Sequence, residues 1–207
     1  MTYLQQILTH KIVAILRGVP PSGTKRTAEA LYAGGIRLLE VTLNSEEALP
    51  LIEMLSHEFK GRMLIGAGTV LSKTDATNAI AAGACFLISP SLDLEVIGTT
   101  RDAGLVSIPG ALTPTEILHA NNYGADIVKV FPCPDAAYIK QVLAPLNHIR
   151  LMPTGGIDAG NIKTFVATGA AAFGIGSALV KSTAIMDDNY FSELSIKAQA
   201  LISAANM

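Results

Sequence analysis

Eight short runs of strand-forming residues recur along the chain at intervals of a little over twenty residues, and this recurrence limits the fold more than any other feature. The runs are "KIVAIL", "LLEVTL", "MLIGAG", "CFLIS", "LVSIPG", "DIVKVF", "RLMPTGG" and "AAFGIG". Between them stand helix-like segments, among them "TKRTAEALYAGG", "SEEALPLIEMLSHEF", "SKTDATNAIAAG", "TPTEILHANNYG" and "DAGNIKTFVATG". Several open on a capping residue followed three positions later by an acid, as Thr113 is by Glu116, and several stop on Gly. Alternation of this kind builds a parallel sheet covered by helices. Eight such units in 207 residues with no linker predict one α/β domain over 1–207. Its expected architecture is a (β/α)8 TIM barrel rather than an open doubly wound sheet. Residues 1–10 are expected to form a short leading helix that closes the bottom, and 188–205 the last helix.

Composition agrees with a sheet covered on both faces. Charged residues make up 15% of the chain and hydrophobic ones 50%, where about 25% charge is usual. The net charge of −2 leaves no basic footprint for nucleic acid. The longest apolar stretch, "GAAAFGIGSALV", ends at Lys181 and falls short of the roughly 20 residues that span a bilayer. The N-terminus lacks the basic start and long apolar run of a secretory signal, so a cytoplasmic protein without membrane contact is expected. Cys85 and Cys133 form no CxxC pair. His10, His57, His119 and His148 have no ligand spacing, so a metal site has no support in the sequence.

In a barrel of this type the reacting groups sit at the C-terminal ends of the strands and in the loops that follow. The polar residues at those places are Arg17, Glu40, Thr69, Ser89, Lys129, Thr154 and Ser177. Two of them stand out. Lys129 in "IVKVFP" and Glu40 in "LLEVTL" are the ionisable groups set inside strand-like apolar runs. One explanation is a mutual buried salt bridge, which adds little net stability because both ions are desolvated. The other is chemical. A desolvated lysine loses its proton readily and can attack a carbonyl, and a carboxylate with a raised pKa can move protons beside it. "PTGGI" (153–157) is read as running straight into a helix, with backbone N–H groups facing an anion. "GIGSALV" (174–180) is read the same way, with Ser177 as an extra donor. Phosphate is commonly bound after strands 7 and 8 of such barrels.

With these motifs in view, the chain resembles the Schiff-base class I aldolases of the 2-keto-3-deoxy-6-phosphogluconate and 4-hydroxy-2-oxoglutarate group. "LLEVTL", "IGAGTVL", "FLISPSL", "IPGALTPTEI", "IVKVFP" and "PTGGI" match in order over essentially the whole length. The resemblance implies that Lys129 forms the imine with a substrate ketone and that Glu40 is the general acid/base, acting with a water. It implies that Thr69, Pro90, Phe131 and Thr154 line a pyruvyl pocket, and that Gly155, Gly156 and Ser177 take a phosphate. It further implies a homotrimer acting on a small-molecule substrate, a phosphorylated 2-keto-3-deoxy sugar acid, without cofactor. One position departs. Members resembling the gluconate branch carry Arg directly after "EVTL", where this chain has Asn44. Arg17 in "AILRG" is expected to hold the substrate carboxylate instead, and "AILRG" with "LNS" looks more like the galactonate branch. The "EVTL" and "PTGGI" wording leans toward gluconate, so the epimer stays open. Two other readings also stay open: a different phosphate-handling barrel of the sugar-phosphate epimerase or thiamine-phosphate synthase type, and a ligand-binding barrel without turnover.

Overall fold

Local signals set the element boundaries. Thr2 and Thr113 each make a reciprocal capping box, with Gln5 and Glu116 respectively, and Ser72, Asp93 and Asp135 cap through their side chains. The computed structural model describes residues 1–182 and 184–205. Within them the order runs α1 (Tyr3–His10), β1 (Ile12–Leu16), α2 (Pro21–Ala33), β2 (Leu38–Thr42), α3 (Ala48–Glu58), β3 (Leu64–Gly68), α4 (Lys73–Ala81), β4 (Phe86–Ile88) and α5 (Leu94–Asp102). It continues β5 (Val106–Ile108), β6 (Gly110–Ala111), α6 (Pro114–Asn122), β7 (Val128–Val130), α7 (Ala136–Leu143), β8 (Leu151–Pro153), α8 (Ile162–Val166), β9 (Phe173–Ile175) and α9 (Asp188–Ala205). The alternation, the leading helix and the last helix are those the sequence predicts.

The strands are parallel and form a curled six-stranded sheet, order β5-β4-β3-β2-β1-β9, and a three-stranded one, order β6-β7-β8. The uninterrupted eight-stranded barrel expected from the sequence is therefore corrected to an α/β fold with a curled parallel sheet in two pieces. Prolines account for both breaks, since each removes a ladder donor. Pro109 separates β5 from β6, although its carbonyl still accepts from the Lys129 N–H at 2.9 Å. Pro153 ends β8, and beyond it Thr154 makes only an isolated bridge to Gly174 of β9.

Burial divides by strand parity. Leu39 and Val41 pack outward with the helices, alongside Leu31, Ile52 and Leu55. Their neighbour Leu38 joins an inner cluster with Val13, Leu64, Phe86, Ile108, Ile127 and Met152. Because successive side chains alternate faces, Leu38, Glu40 and Thr42 share the concave side, as do Ile127, Lys129 and Phe131. Ile7 of α1 belongs to the inner cluster, so the leading helix seals one end with an apolar plug. Every residue of β1, β2 and β3 is buried, which explains the low charge. Among the described residues, no helix is long and apolar enough to cross a membrane.

Candidate active site

Lys129 is 2% exposed and Glu40 0%, each in the middle of a three- or five-residue strand whose other members are apolar or small. Glycines on the neighbouring strands leave the space. A Cβ on Gly68 would lie 1.7 Å from Glu40 Oε1, and one on Gly66 would strike the Phe86 ring. Gly66 pairs with Glu40 across β2 and β3, and Lys129 pairs with Gly110 and Met152. The glycines of β3 thus leave room for the Glu40 side chain on the concave face.

The predicted alternative of a buried salt bridge does not hold. Among the described residues Lys129 and Glu40 make no ion pair, and both carboxylate oxygens of Glu40 lack a hydrogen-bond partner. An orphaned buried acceptor costs free energy, so this carboxyl is not placed there for stability. Burial pushes the Glu40 pKa up, with Lys129 and Arg17 pulling it partly back. Burial pushes the Lys129 pKa down, opposed by Glu40 and reinforced by Arg17. The Lys129 Nζ lies 5.0 Å from the centre of the Phe131 ring. A lysine shifted down and a carboxyl shifted up by burial are perturbed in the directions that reacting groups need.

A cavity of about 590 Å³ opens at the rim, with Arg17, Phe131, Thr154, Gly155, Gly156 and Ser177 all on its wall, while the buried Lys129 and Glu40 are not among its lining residues. Thr69 and Pro90 are not among its lining residues. Thr69 follows β3 in a left-handed conformation, φ +56°, which a β-branched residue adopts only under strain. Pro90 packs against β6, where its carbonyl lies 2.3 Å from a Cβ built on Gly110. Asn44 is exposed. The rim that carries Arg17 is tied to the next one: the Gly18 N–H donates to Ser45 Oγ at 2.9 Å, and Ser45 Oγ meets Thr42 Oγ1 at 2.9 Å.

The two Gly-rich loops differ from their predicted form. Neither runs into a helix. Gly155 and Gly156 take φ +106° and +68°, outside the helical region, and α8 starts only at Ile162. After β9 the chain makes a single turn, in which the N–H groups of Leu179 and Val180 return to the Gly176 carbonyl. The loops still meet at one wall, and among the described residues no internal acceptor takes the N–H groups of Gly155, Gly156 or Ser177. Positive-φ glycines with free amides form an anion-binding concavity without a helix. Sequence reasoning missed Asp158 and Lys181, which also line the cavity. Lys181 was visible only as the residue that ends an apolar run. Cys133, half-buried behind the Thr154 carbonyl that its N–H meets at 3.1 Å, has its thiol pushed up to about 11 by burial and by Asp135. It is a poor nucleophile. Among the described residues, no three His, Cys, Asp or Glu side chains group as a metal site.

A family model described as "KDPG and KHG aldolase" matches residues 4–194. The chain is 32% identical over 174 residues to a "Probable 2-dehydro-3-deoxy-6-phosphogalactonate aldolase" of Rhizobium meliloti, covering 82% of each. It is 34% identical over 166 residues to the "KHG/KDPG aldolase" of Escherichia coli, covering 79% of this chain and 78% of that one. Its structure is similar, at TM-score 0.86 and 28% identity over 97% of this chain and 98% of the other, to a KDPG aldolase from Legionella pneumophila that holds pyruvate as a covalent carbinolamine intermediate.

Proposed function

The chain belongs to the KDPG and KHG aldolase family, a group of carbon–carbon lyases, and on that premise we propose that it cleaves a 2-keto-3-deoxy-6-phospho sugar acid to pyruvate and glyceraldehyde 3-phosphate. The observation that carries this reading is the buried, unpaired Lys129 and Glu40 on one concave face. Lys129, its pKa lowered by burial, attacks C2 of the substrate as the free amine, and the carbinolamine takes a proton from the Glu40 carboxyl and loses water to give a cationic imine. Glu40, through a water, takes the C4 hydroxyl proton. The C3–C4 bond breaks with the imine as electron sink, leaving an enamine of pyruvate and the free aldehyde. Glu40 returns a proton to the enamine carbon, and hydrolysis frees pyruvate and restores Lys129.

In this scheme Arg17 grips the carboxylate with its planar fork, and Thr69, Pro90, Phe131 and Thr154 shape the pyruvyl pocket. Gly155, Gly156 and Ser177 receive the phosphate. Arg17 on the cavity wall and Asn44 in solvent favour the galactonate epimer. The alternative cleavage of 4-hydroxy-2-oxoglutarate draws support from the similar "KHG/KDPG aldolase" relative. We further infer that the two sheets are the staves of one (β/α)8 barrel in a single domain over 1–207. The supporting observations are the Lys129–Pro109 hydrogen bond and the Thr154–Gly174 bridge. Family resemblance supports a cytoplasmic homotrimer.

The test is release of pyruvate from the phosphorylated sugar acid, followed with a coupled dehydrogenase. Wild type turns over, and Lys129→Ala falls to background while its circular dichroism stays that of wild type. Cleavage by Lys129→Ala at near the wild-type rate would remove the imine from the scheme.

A further inference from the structure

Lys181 lines the same cavity as Ser177, Gly155 and Gly156, and no step of the scheme uses it. Its backbone is well anchored. The preceding Leu179 and Val180 are buried, their N–H groups both return to Gly176, and the Lys181 carbonyl accepts from the Ala184 N–H at 3.3 Å. The hydroxyl of Tyr190 on α9 donates to that carbonyl as well, at 3.5 Å. The side chain itself is exposed.

The ammonium is also uncommitted. Lys25, Arg26 and Lys197 face Glu58, Asp188 and Glu193 respectively, whereas among the described residues no carboxylate lies within ion-pair distance of Lys181. It borders a smaller cleft of about 220 Å³ with Glu193, but that acid already meets Lys197. The acid on the main cavity, Asp158, is turned to its own loop, where Oδ1 accepts from the N–H groups of Gly160 and Asn161 at 2.8 and 3.2 Å. The cavity therefore presents two cations, Arg17 and Lys181, on a wall rich in free backbone amides. A substrate with a carboxylate at one end and a phosphate at the other carries two anionic groups to match.

We propose that Lys181 is a specificity-determining residue that binds the phosphate end of the substrate next to Gly155, Gly156 and Ser177. This rests on the phosphate reading given above and adds to it the charge that neutral amides and a hydroxyl lack. An ammonium is a compact point charge that accepts many phosphate orientations. Loss of one charge-assisted contact lowers affinity about 10- to 100-fold.

The experiment compares KM and kcat for the phosphorylated sugar acid and its unphosphorylated analogue, together with inhibition by inorganic phosphate. The proteins are wild type, Lys181→Met, Lys181→Arg and the surface control Lys197→Met. Lys181→Met is expected to raise KM for the phosphorylated substrate about 10- to 100-fold with kcat within a few-fold of wild type. KM for the analogue stays where it was, phosphate inhibition weakens in parallel, and Lys181→Arg recovers most of the loss. Wild-type preference for the phosphorylated substrate that persists in Lys181→Met would overturn the role of Lys181 alone. An equal rise in KM for both substrates would do the same. A wild type that neither prefers the phosphorylated substrate nor responds to inorganic phosphate would overturn the phosphate reading and this inference together.

Discussion

Glu40 sits fully buried with neither oxygen hydrogen-bonded, a position that costs stability and that the proposed proton transfer would account for. Replacing it by Gln keeps the shape and removes proton transfer, so kcat for cleavage should drop by roughly 10²–10⁴. A signed pH effect follows. The Glu40 charge raises the Lys129 pKa, so its removal lets Lys129 lose its proton at lower pH. Imine formation with pyruvate in Glu40→Gln should therefore persist to more acidic pH than in wild type, measured as the rate of borohydride trapping across a pH series. Unchanged kcat, or a trapping profile moved toward higher pH, would reduce Glu40 to a spectator. Both Lys129 and Glu40 were legible in the sequence because each interrupts a run that is otherwise apolar, and apolar strands do not tolerate charge without cause. Lys181 was not, because an ionisable residue at the end of an apolar run is the commonest way for such a run to end. Its neighbours in space, Ser177 and Gly156, are known only once the loops are folded.

The strands β2 and β3 act as one element in holding Glu40. Glu40↔Gly66 and Thr42↔Gly68 are paired positions, so at the Glu40 end of the ladder a larger residue on β2 lies beside a glycine on β3. Gly68→Ala would put a methyl 1.7 Å from Glu40 Oε1, and the carboxyl must move. We expect kcat to fall at least tenfold while Lys129 still forms an imine with pyruvate, since displacement of about an ångström at a reacting group costs on the order of 10²-fold. Full activity in Gly68→Ala would mean that Glu40 is free to relax without loss. Element identity was readable from capping boxes such as Thr113 with Glu116 and from strand alternation. No helix follows directly on "PTGGI" or "GIGSALV": α8 begins only at Ile162, and the second loop closes a single turn on the Gly176 carbonyl. In the fold Gly155 and Gly156 adopt positive φ, and Asp158 and Asn161 close a separate turn before α8.

At the scale of the whole molecule, the count of eight strand-forming runs led to the alternating order of strands and helices. It did not lead to continuous ladders, since pairing depends on which N–H faces which neighbour, and Pro109 and Pro153 withdraw theirs at two seams. The fold nevertheless brings the ends of β1, β2, β7, β8 and β9 to one side, where Arg17, Glu40, Lys129, Thr154 and Ser177 follow or lie on those strands. The proposed cleavage depends on Lys129, the deeply buried lysine among the described residues, acting as a nucleophile. Incubation with pyruvate and borohydride, followed by peptide mass spectrometry, tests it most directly. One pyruvyl-derived addition, reduced and irreversible, is expected on Lys129. No addition, or addition confined to surface lysines with Lys129 unmodified, would contradict it.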